Sequence, residues 1–248
     1  MQDDRIQKEK QFHDERFGKE IDLRDKVDKY YSVHKPVVDR FSTIVAKYCK
    51  NKKLLEYGCG MGSGSESWLN FGAILTGIDI SEEGIKKANE WVSKTSFKAE
   101  YYVMNAEKTE FANDSFDLIV GSGIIHHLNL ADSYKELNRL LNNKGHAIFI
   151  EPLGHNPIIN LYRMLTPKLR TDDEHPLKVK DLKLLEDYFN IVDIEYFSFF
   201  TLFAVPFRNK SFFPLLLGVL GKIDKVIFSM PFLKRYAWTV IIHARKPK

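Results

Sequence analysis

The chain has 248 residues, of which 44% are hydrophobic and 28% are charged, and its formal net charge is +4. This ordinary globular balance argues against a disordered chain, and the length suits one large α/β domain better than two small ones. The positive charge is mild and contains no dense run of Lys and Arg, so composition gives no indication of a nucleic-acid partner.

The N-terminal region, residues 1–35, is rich in charge and carries sparse aromatic residues at helical spacing. We predict that it forms a helical cap or lid and not part of the core. Pro36 then suits the first turn of a helix over residues 36–50, in which apolar residues recur on one face. The aromatic residues of the expected lid are Phe12, Phe17, Tyr30 and Tyr31.

Short apolar strands and helices alternate through the predicted core, residues 36–152. This alternation predicts a parallel sheet with helices on both faces, and a ligand crevice at the carboxyl ends of its strands. Two later strands bring the expected total to seven, in a doubly wound, mostly parallel α/β sheet. The predicted helices include 81–94 and 131–142, and the predicted strands are 53–57, 73–80, 99–103, 116–120, 146–150, 191–200 and 237–244.

After the fifth strand the pattern changes, and residues 153–187 read as an insertion that covers the crevice. The remaining residues, 188–248, carry the last strands and an apolar segment, 212–232. We predict that this segment is mostly a buried helix. We do not favour three alternatives: contact with a membrane, an apolar tunnel for the acceptor, and a dimer interface.

Glycines and carboxylates follow the first two strands. The glycines of the Gly58–Gly64 loop allow a tight turn and close approach of a ligand, but their spacing differs from the dinucleotide pattern G-x-G-x-x-G. Glu56 precedes this loop, and Asp79 ends the second strand, where a carboxylate can accept both hydroxyls of a ribose. Asn105–Glu107 follows the third strand, where an adenine ring would lie.

Together these motifs resemble the class I S-adenosylmethionine (SAM)-dependent methyltransferases, in particular the small-molecule branch similar to the ubiquinone and menaquinone type. The resemblance implies a Rossmann-like methyltransferase fold, SAM as the cofactor and a small-molecule acceptor. It covers residues 54–152. The matching pieces are LLEYGCGMGS, LTGIDIS, NAEKTEF, SFDLIVGSGIIHHL and KGHAIFIEP.

The resemblance also implies roles for individual residues. Asp79 would bind the ribose hydroxyls, Glu107 would frame the adenine, and Glu56 would lie near the methionine amino group, held through the loop. The alternatives are a simple strand–helix turn, a helix-start residue at Asp79 and a solvated turn carboxylate at Glu107. The full set of expected cofactor contacts is Glu56, Gly58, Gly60, Asp79, Ile80, Ala106, Glu107, Ser122 and Tyr30.

Two histidines, His126 and His127, follow the fourth strand at the mouth of the expected crevice. An imidazole, with a pKa of about 6.5, suits a general base that activates a hydroxyl acceptor for in-line displacement. We therefore predict oxygen rather than nitrogen as the methylated atom, and we favour His127 over His126. The alternative is that one of them caps and packs under the next helix.

The insertion supplies candidate acceptor contacts, because a short helix over 157–165 would turn polar side chains inward. The alternative is a solvated loop that forms its own hydrogen bonds. A metal site formed by His155, Asp173 and His175 matches no known ligand spacing, so we predict no metal. The candidate acceptor residues are Glu151, His155, Tyr162 and Arg163.

The two cysteines, Cys49 and Cys59, form neither a CxxC pair nor a Cys/His cluster, so we expect no disulfide framework. The charged start of the chain lacks a signal-peptide pattern, and no apolar run reaches the ~18 residues of a membrane span. We therefore expect a cytoplasmic protein.

Other function classes remain open at this stage. A lipid or quinone precursor as acceptor is supported only by the apolar C-terminal segment. A non-catalytic SAM-binding protein would not need to keep the loop and the ribose carboxylate. A nicotinamide oxidoreductase is disfavoured by the loop spacing, and a nucleic-acid methyltransferase by Gly121–Gly123, which stands where such enzymes carry an Asn/Asp-Pro-Pro-Tyr/Phe motif.

Overall fold

The computed structural model describes residues 2–18, 32–166 and 175–246. Seven strands form one sheet in the order β3-β2-β1-β4-β5-β7-β6. The strands are β1 (Lys53–Tyr57), β2 (Ile74–Asp79), β3 (Ala99–Val103), β4 (Phe116–Ser122), β5 (Leu141–Pro152), β6 (Ile191–Phe197) and β7 (Thr239–Arg245).

The first five strands run parallel, and β7 pairs antiparallel with both β5 and β6. The sheet grows outward from β1 in one direction through β2 and in the other through β4, so the strand order reverses between them. Crevices at such a point bind ligands in open α/β sheets. The prediction of a doubly wound, mostly parallel seven-stranded sheet is confirmed.

Helices cover both faces of the sheet. Short 3₁₀ segments lie at 125–127, 184–187, 200–207 and 234–236. The helices are α1 (Gln2–Gly18), α2 (Lys35–Cys49), α3 (Ser65–Asn70), α4 (Glu82–Ser93), α5 (Leu130–Leu140), α6 (Pro157–Leu165), α7 (Val179–Lys183) and α8 (Phe213–Ile227).

Each face of the sheet carries its own apolar core. Neighbouring residues of a strand point to opposite faces, so Leu54 joins the core that contains Trp68 of α3, and Leu55 joins the core that contains Tyr134 of α5. Both leucines are fully buried. The continuous apolar runs of the parallel strands follow from this burial on two sides.

A third, smaller core lies outside the sheet. It joins Ile159 of α6 to Leu202 of the 3₁₀ segment at 200–207 and to Leu217 of α8. The residues after β5 therefore pack with the C-terminal segments. The prediction that segment 212–232 is buried holds for one face only, because Leu215 of the same helix is 73% exposed.

Three predicted boundaries are wrong, among them the start of the fifth strand, which we predict at residue 146 and which lies at Leu141. The helix expected over 131–142 ends at Leu140, because Leu141 already pairs with Phe116 and begins β5. Lys144, within this strand, takes a positive φ of 73°.

The strand expected over 191–200 ends at Phe197. Ser198 takes a φ of 68°, and a 3₁₀ segment begins at Phe200. Within the described ranges, no helix combines the length and the apolar character that crossing a bilayer requires.

Candidate active site

A cleft lies at the carboxyl ends of β1, β2 and β4, and α1 forms its opposite wall. It brings together most of the predicted site residues. From the sheet side these are Gly58, Gly60, Asp79, Ile80, Ala106, Glu107, Ser122 and His127, and α1 adds Arg5, Glu9, His13, Arg16 and Phe17. Tyr30, predicted to contact the cofactor, lies outside the described residues, as does Tyr31.

The loop after β1 requires glycine for two reasons. Gly58 and Gly60 have φ values of 73° and 52°, in the left-handed region that strains other residues. A Cβ on Gly60 would also lie 3.0 Å from the ring of Phe17 in α1. The backbone of the loop therefore lies directly against the helix that closes the cleft.

Asp79 connects the glycine loop to the start of α4. Its Oδ2 accepts a hydrogen bond from the Gly60 amide at 2.8 Å, and its Oδ1 accepts one from the Ser81 amide at 2.9 Å. Each carboxylate oxygen has a further lone pair, and the residue lines the cleft. A ribose diol is a ligand that such a carboxylate can hold in a bidentate way.

Glu56 lies behind the glycine loop and is not among the described residues that line the cleft. Its carboxylate accepts hydrogen bonds from the hydroxyl of Ser65 and from the indole of Trp68, the latter at 3.1 Å. Burial raises the pKa of Glu56 to about 7; the two hydrogen bonds oppose this rise and the nearby Asp79 adds to it. Its expected place near a methionine amino group stays a prediction.

Glu107 is buried, which differs from the solvated turn carboxylate considered as an alternative. Its Oε1 accepts a hydrogen bond from the Asn129 amide at 2.6 Å and forms an ion pair with Arg5 of α1. The preceding Ala106 is held by Tyr57, whose hydroxyl donates to its carbonyl. The loop after β3 is thus fixed from the sheet and from the lid.

Helix α1 is anchored along its length. The Arg5 guanidinium donates to the His127 carbonyl at 2.7 Å, and the Ser81 hydroxyl donates to Asp14 Oδ1 at 2.6 Å. Near its end, Lys87 Nζ donates to the Phe17 carbonyl at 2.5 Å. These contacts hold the predicted lid against the strand ends that carry the site.

Two lid residues, Glu9 and His13, converge on His127 and were missed by the sequence analysis. Glu9 Oε2 lies 3.5 Å from His127 Nδ1 and 3.5 Å from His13 Nε2. Glu9 is buried, and both imidazoles are largely so. The available signal was an acidic and an imidazole side chain four residues apart on a predicted helix.

The ligand atoms of this triad all lie within 4.8 Å of one another, close enough to hold a metal ion. Among the described residues it is the only such group of three His, Cys, Asp or Glu side chains. These residues differ from the metal ligands considered in the sequence, His155, Asp173 and His175. Asp173 lies outside the described residues. The absence of a metal stays a prediction.

His126 and Glu151 form a buried pair that supports the loop bearing His127. His126 Nδ1 lies 2.7 Å from Glu151 Oε2, and Glu151 Oε1 accepts from the Ile124 and Ile125 amides, each at 2.9 Å. Neither side chain is among the described residues that line the cleft. This geometry favours His127 over His126 and gives Glu151 a structural role.

The candidate acceptor residues of the insertion are not brought to the cleft. His155, Tyr162 and Arg163 are half-buried and absent from the described lining. The reason is the docking of α6, whose N-cap Asn156 accepts from the amide of Ile159 at 3.1 Å and donates to the Tyr236 carbonyl at 2.9 Å. The helix therefore packs on the C-terminal segments.

Sequence comparison identifies relatives of the central part of the chain. Residues 55–149 match the family described as a methyltransferase domain. Residues 55–149 therefore carry the sequence pattern of a methyltransferase domain. The ubiquinone biosynthesis O-methyltransferase of Pelagibacter ubique is 37% identical over 109 residues, which are 44% of this chain and 45% of that relative. The chain thus spans about half the length of the curated relatives it matches.

Solved structures share the fold of the methyltransferase domain. The phosphoethanolamine N-methyltransferase 2 of Haemonchus contortus, in complex with SAM, has a TM-score of 0.62 at 17% identity over 85% of this chain and 53% of that chain. The magnesium protoporphyrin IX methyltransferase of Synechocystis PCC 6803 has a TM-score of 0.60 at 14% identity over 94% and 92%. At these identities the comparison establishes the Rossmann-like methyltransferase fold and nothing finer.

Proposed function

We propose that the chain transfers a methyl group from SAM to a hydroxyl oxygen of a small-molecule acceptor, with His127 as the general base. One observation carries the proposal: His127 shares a single cleft with Asp79 and the glycine loop, and a buried carboxylate, Glu9, faces its ring. A cofactor site and a base for the acceptor therefore lie side by side.

The residues at the ends of β1, β2 and β3 offer groups that suit the parts of SAM. The backbone of Gly58 and Gly60 allows close approach, and the open lone pairs of Asp79 suit the ribose hydroxyls. Ile80 and Ala106 offer apolar surface for the adenine. When bound, SAM supplies an electrophilic methyl group to a nucleophile aligned with its carbon–sulfur bond.

The acceptor side rests on His127 and Glu9. His127 lines the cleft, and its Nδ1 lies 3.5 Å from the Glu9 carboxylate. Nε2 takes the proton of the acceptor hydroxyl, and the carboxylate stabilises the imidazolium that forms. Arg5 fixes the same loop by donating to the His127 carbonyl at 2.7 Å.

The lid supports the reaction by limiting water and by fixing geometry. Phe17 covers the glycine loop at a distance that leaves no room for a Cβ on Gly60. Holding acceptor and methyl donor close and aligned supplies much of the rate in a displacement of this kind.

A lipid or quinone precursor is a second candidate acceptor class. The exposed apolar side of α8 favours it, and so does the name of the Pelagibacter ubique relative. Neither observation identifies an acceptor for this chain.

Label transfer tests the proposal. The purified chain is incubated with methyl-labelled SAM and a host extract, and the products are separated into small molecules, lipids, proteins and nucleic acids. We expect label in the small-molecule fraction. Label in the lipid fraction would support the second acceptor class, and no label in any fraction despite SAM binding would contradict catalysis.

The base assignment is tested on the same assay. We expect His127→Ala and Glu9→Gln each to lower turnover at least tenfold, because general-base catalysis typically contributes ~100-fold or more. SAM affinity should stay unchanged. His155→Ala is the matched control, since His155 lies away from the cleft. Turnover that is lost with a chelator and restored by Zn²⁺ would instead assign the triad to a metal.

A further inference from the structure

Helix α8 presents an apolar row to solvent. Its exposed residues recur every three or four positions, so they lie on one side of the helix. Leu215 is 73% exposed and Val226 is 66% exposed, whereas Leu217 on the opposite side is buried in the third core. We define the C-terminal apolar face as the exposed residues of this row together with Phe212, just before the helix, and Phe232, beyond its end: Phe212, Leu215, Val219, Ile223, Val226 and Phe232.

The exposed charged residues between positions 200 and 238, the stretch that contains the C-terminal apolar face, are all basic. Basic side chains are exposed on and beside it, among them Arg208, Lys222 and Lys225. The one acidic residue between positions 200 and 238 is Asp224, which is buried and accepts a hydrogen bond from the Phe200 amide at 2.7 Å. The outward surface is therefore both apolar and cationic.

An apolar surface with exposed lysines favours a lipid bilayer over a second copy of the chain as the binding partner. Lys222 lies in the same row as Val219 and Val226, so a second copy that docked symmetrically through the same face would bring Lys222 against apolar and basic residues only. Removing an unpaired ammonium from water is costly. At a bilayer surface the same lysine extends to the lipid phosphates while the apolar side chains enter the headgroup boundary.

We propose that the C-terminal apolar face docks on the surface of an anionic phospholipid bilayer, with α8 lying in the plane of the headgroups. The 15 residues of α8 are too few to span the bilayer, which is consistent with a peripheral position. Docking does not depend on methyl transfer, because it uses none of the residues of the cleft.

Vesicle co-sedimentation tests the proposal with the full chain. We expect the protein to sediment with vesicles of phosphatidylcholine and phosphatidylglycerol, and to stay in solution with phosphatidylcholine alone. Leu215→Asp should lower the bound fraction about tenfold or more, since it places a like charge and a polar group in the interface. Charge reversal at Lys222 and Lys225 should do the same.

Ile74→Asp is the matched control, because Ile74 is 61% exposed at the start of β2, outside the face. It should bind vesicles like the wild type. SAM affinity, measured on every variant, reports that the fold is intact and separates this test from that of the proposed function. Failure to bind anionic vesicles overturns the proposal, as does equal loss with Ile74→Asp. A dimer that Leu215→Asp dissociates, without vesicle binding, would assign the face to a second copy.

Discussion

At the scale of the residue, the site depends on carboxylates placed in different surroundings. Asp79 and Glu107 line the cleft and hold loops through backbone amides, while Glu56 and Glu151 are buried behind it. Sequence reasoning found all four, because each follows or ends a strand. It did not separate their surroundings, which depend on where distant side chains such as Ser65 lie.

Asp79 gives a prediction about ligand affinity. Asp79→Ala should weaken SAM binding at least tenfold, because it removes a charged acceptor for the ribose hydroxyls and frees the Gly60 amide. Isothermal titration measures the affinity. Asp193→Ala, which alters an exposed carboxylate on β6, should bind SAM normally. Equal affinity in both variants would remove Asp79 from the cofactor site.

Glu56 gives a prediction about pH. Its pKa rises from 4.5 to about 7 in the folded protein, mainly through burial, so the folded state holds the proton more tightly than the unfolded chain. Its contribution to the free energy of unfolding is therefore full below about pH 4.5 and is lost as pH rises to about 7, a change on the order of 3 kcal/mol.

Urea unfolding at about pH 5 and about pH 8 measures this loss. Glu56→Gln should flatten the dependence, because the amide carries no charge to desolvate and still accepts from Trp68. Glu66→Gln, on an exposed side chain of α3, should leave the dependence as in the wild type. A Glu56→Gln protein with the wild-type pH dependence would show that another group titrates in this window.

At the scale of the element, the hydrogen bonds of one buried carboxylate hold the C-terminal segments together. Asp224 of α8 accepts hydrogen bonds from the amides of Phe199, Phe200 and Thr201, at the start of the 3₁₀ segment 200–207. A buried carboxylate that satisfies three amides leaves them unpaired when it is removed. One side chain thereby joins the helix and the 3₁₀ segment that build the third core.

Asp224→Ala should therefore lower the free energy of unfolding by roughly 2–4 kcal/mol. Urea denaturation measures the change, and Lys225→Ala, on the exposed neighbour, should alter it by less than about 0.5 kcal/mol. SAM affinity should stay the same in both, since neither residue lines the cleft. A drop of the same size in both variants would mean that the hydrogen bonds of the buried carboxylate do not account for the loss.

At the scale of the whole molecule, the sheet and the strand-end loops that line the cleft could be predicted, and the contribution of α1 to the cleft could not. Apolar runs such as Leu54–Leu55 report burial on two faces through local sequence alone. The convergence of Glu9 and His13 on His127 joins residues more than a hundred positions apart, and the spacing of Glu9 and His13 on one helix does not indicate that His127 lies opposite them. The inward turn predicted for His155 also failed, because α6 docks on a core built from residues beyond 200.

The position of α1 has a consequence for substitutions in the cleft. The match to the methyltransferase family begins at residue 55, whereas Arg5, Glu9 and His13 lie in the first 18 residues. One wall of the cleft thus comes from a segment of the sequence that lies outside the region matched to the family. We expect substitutions there to alter this wall of the cleft without touching the two cores of the sheet, to which α1 contributes no described residue.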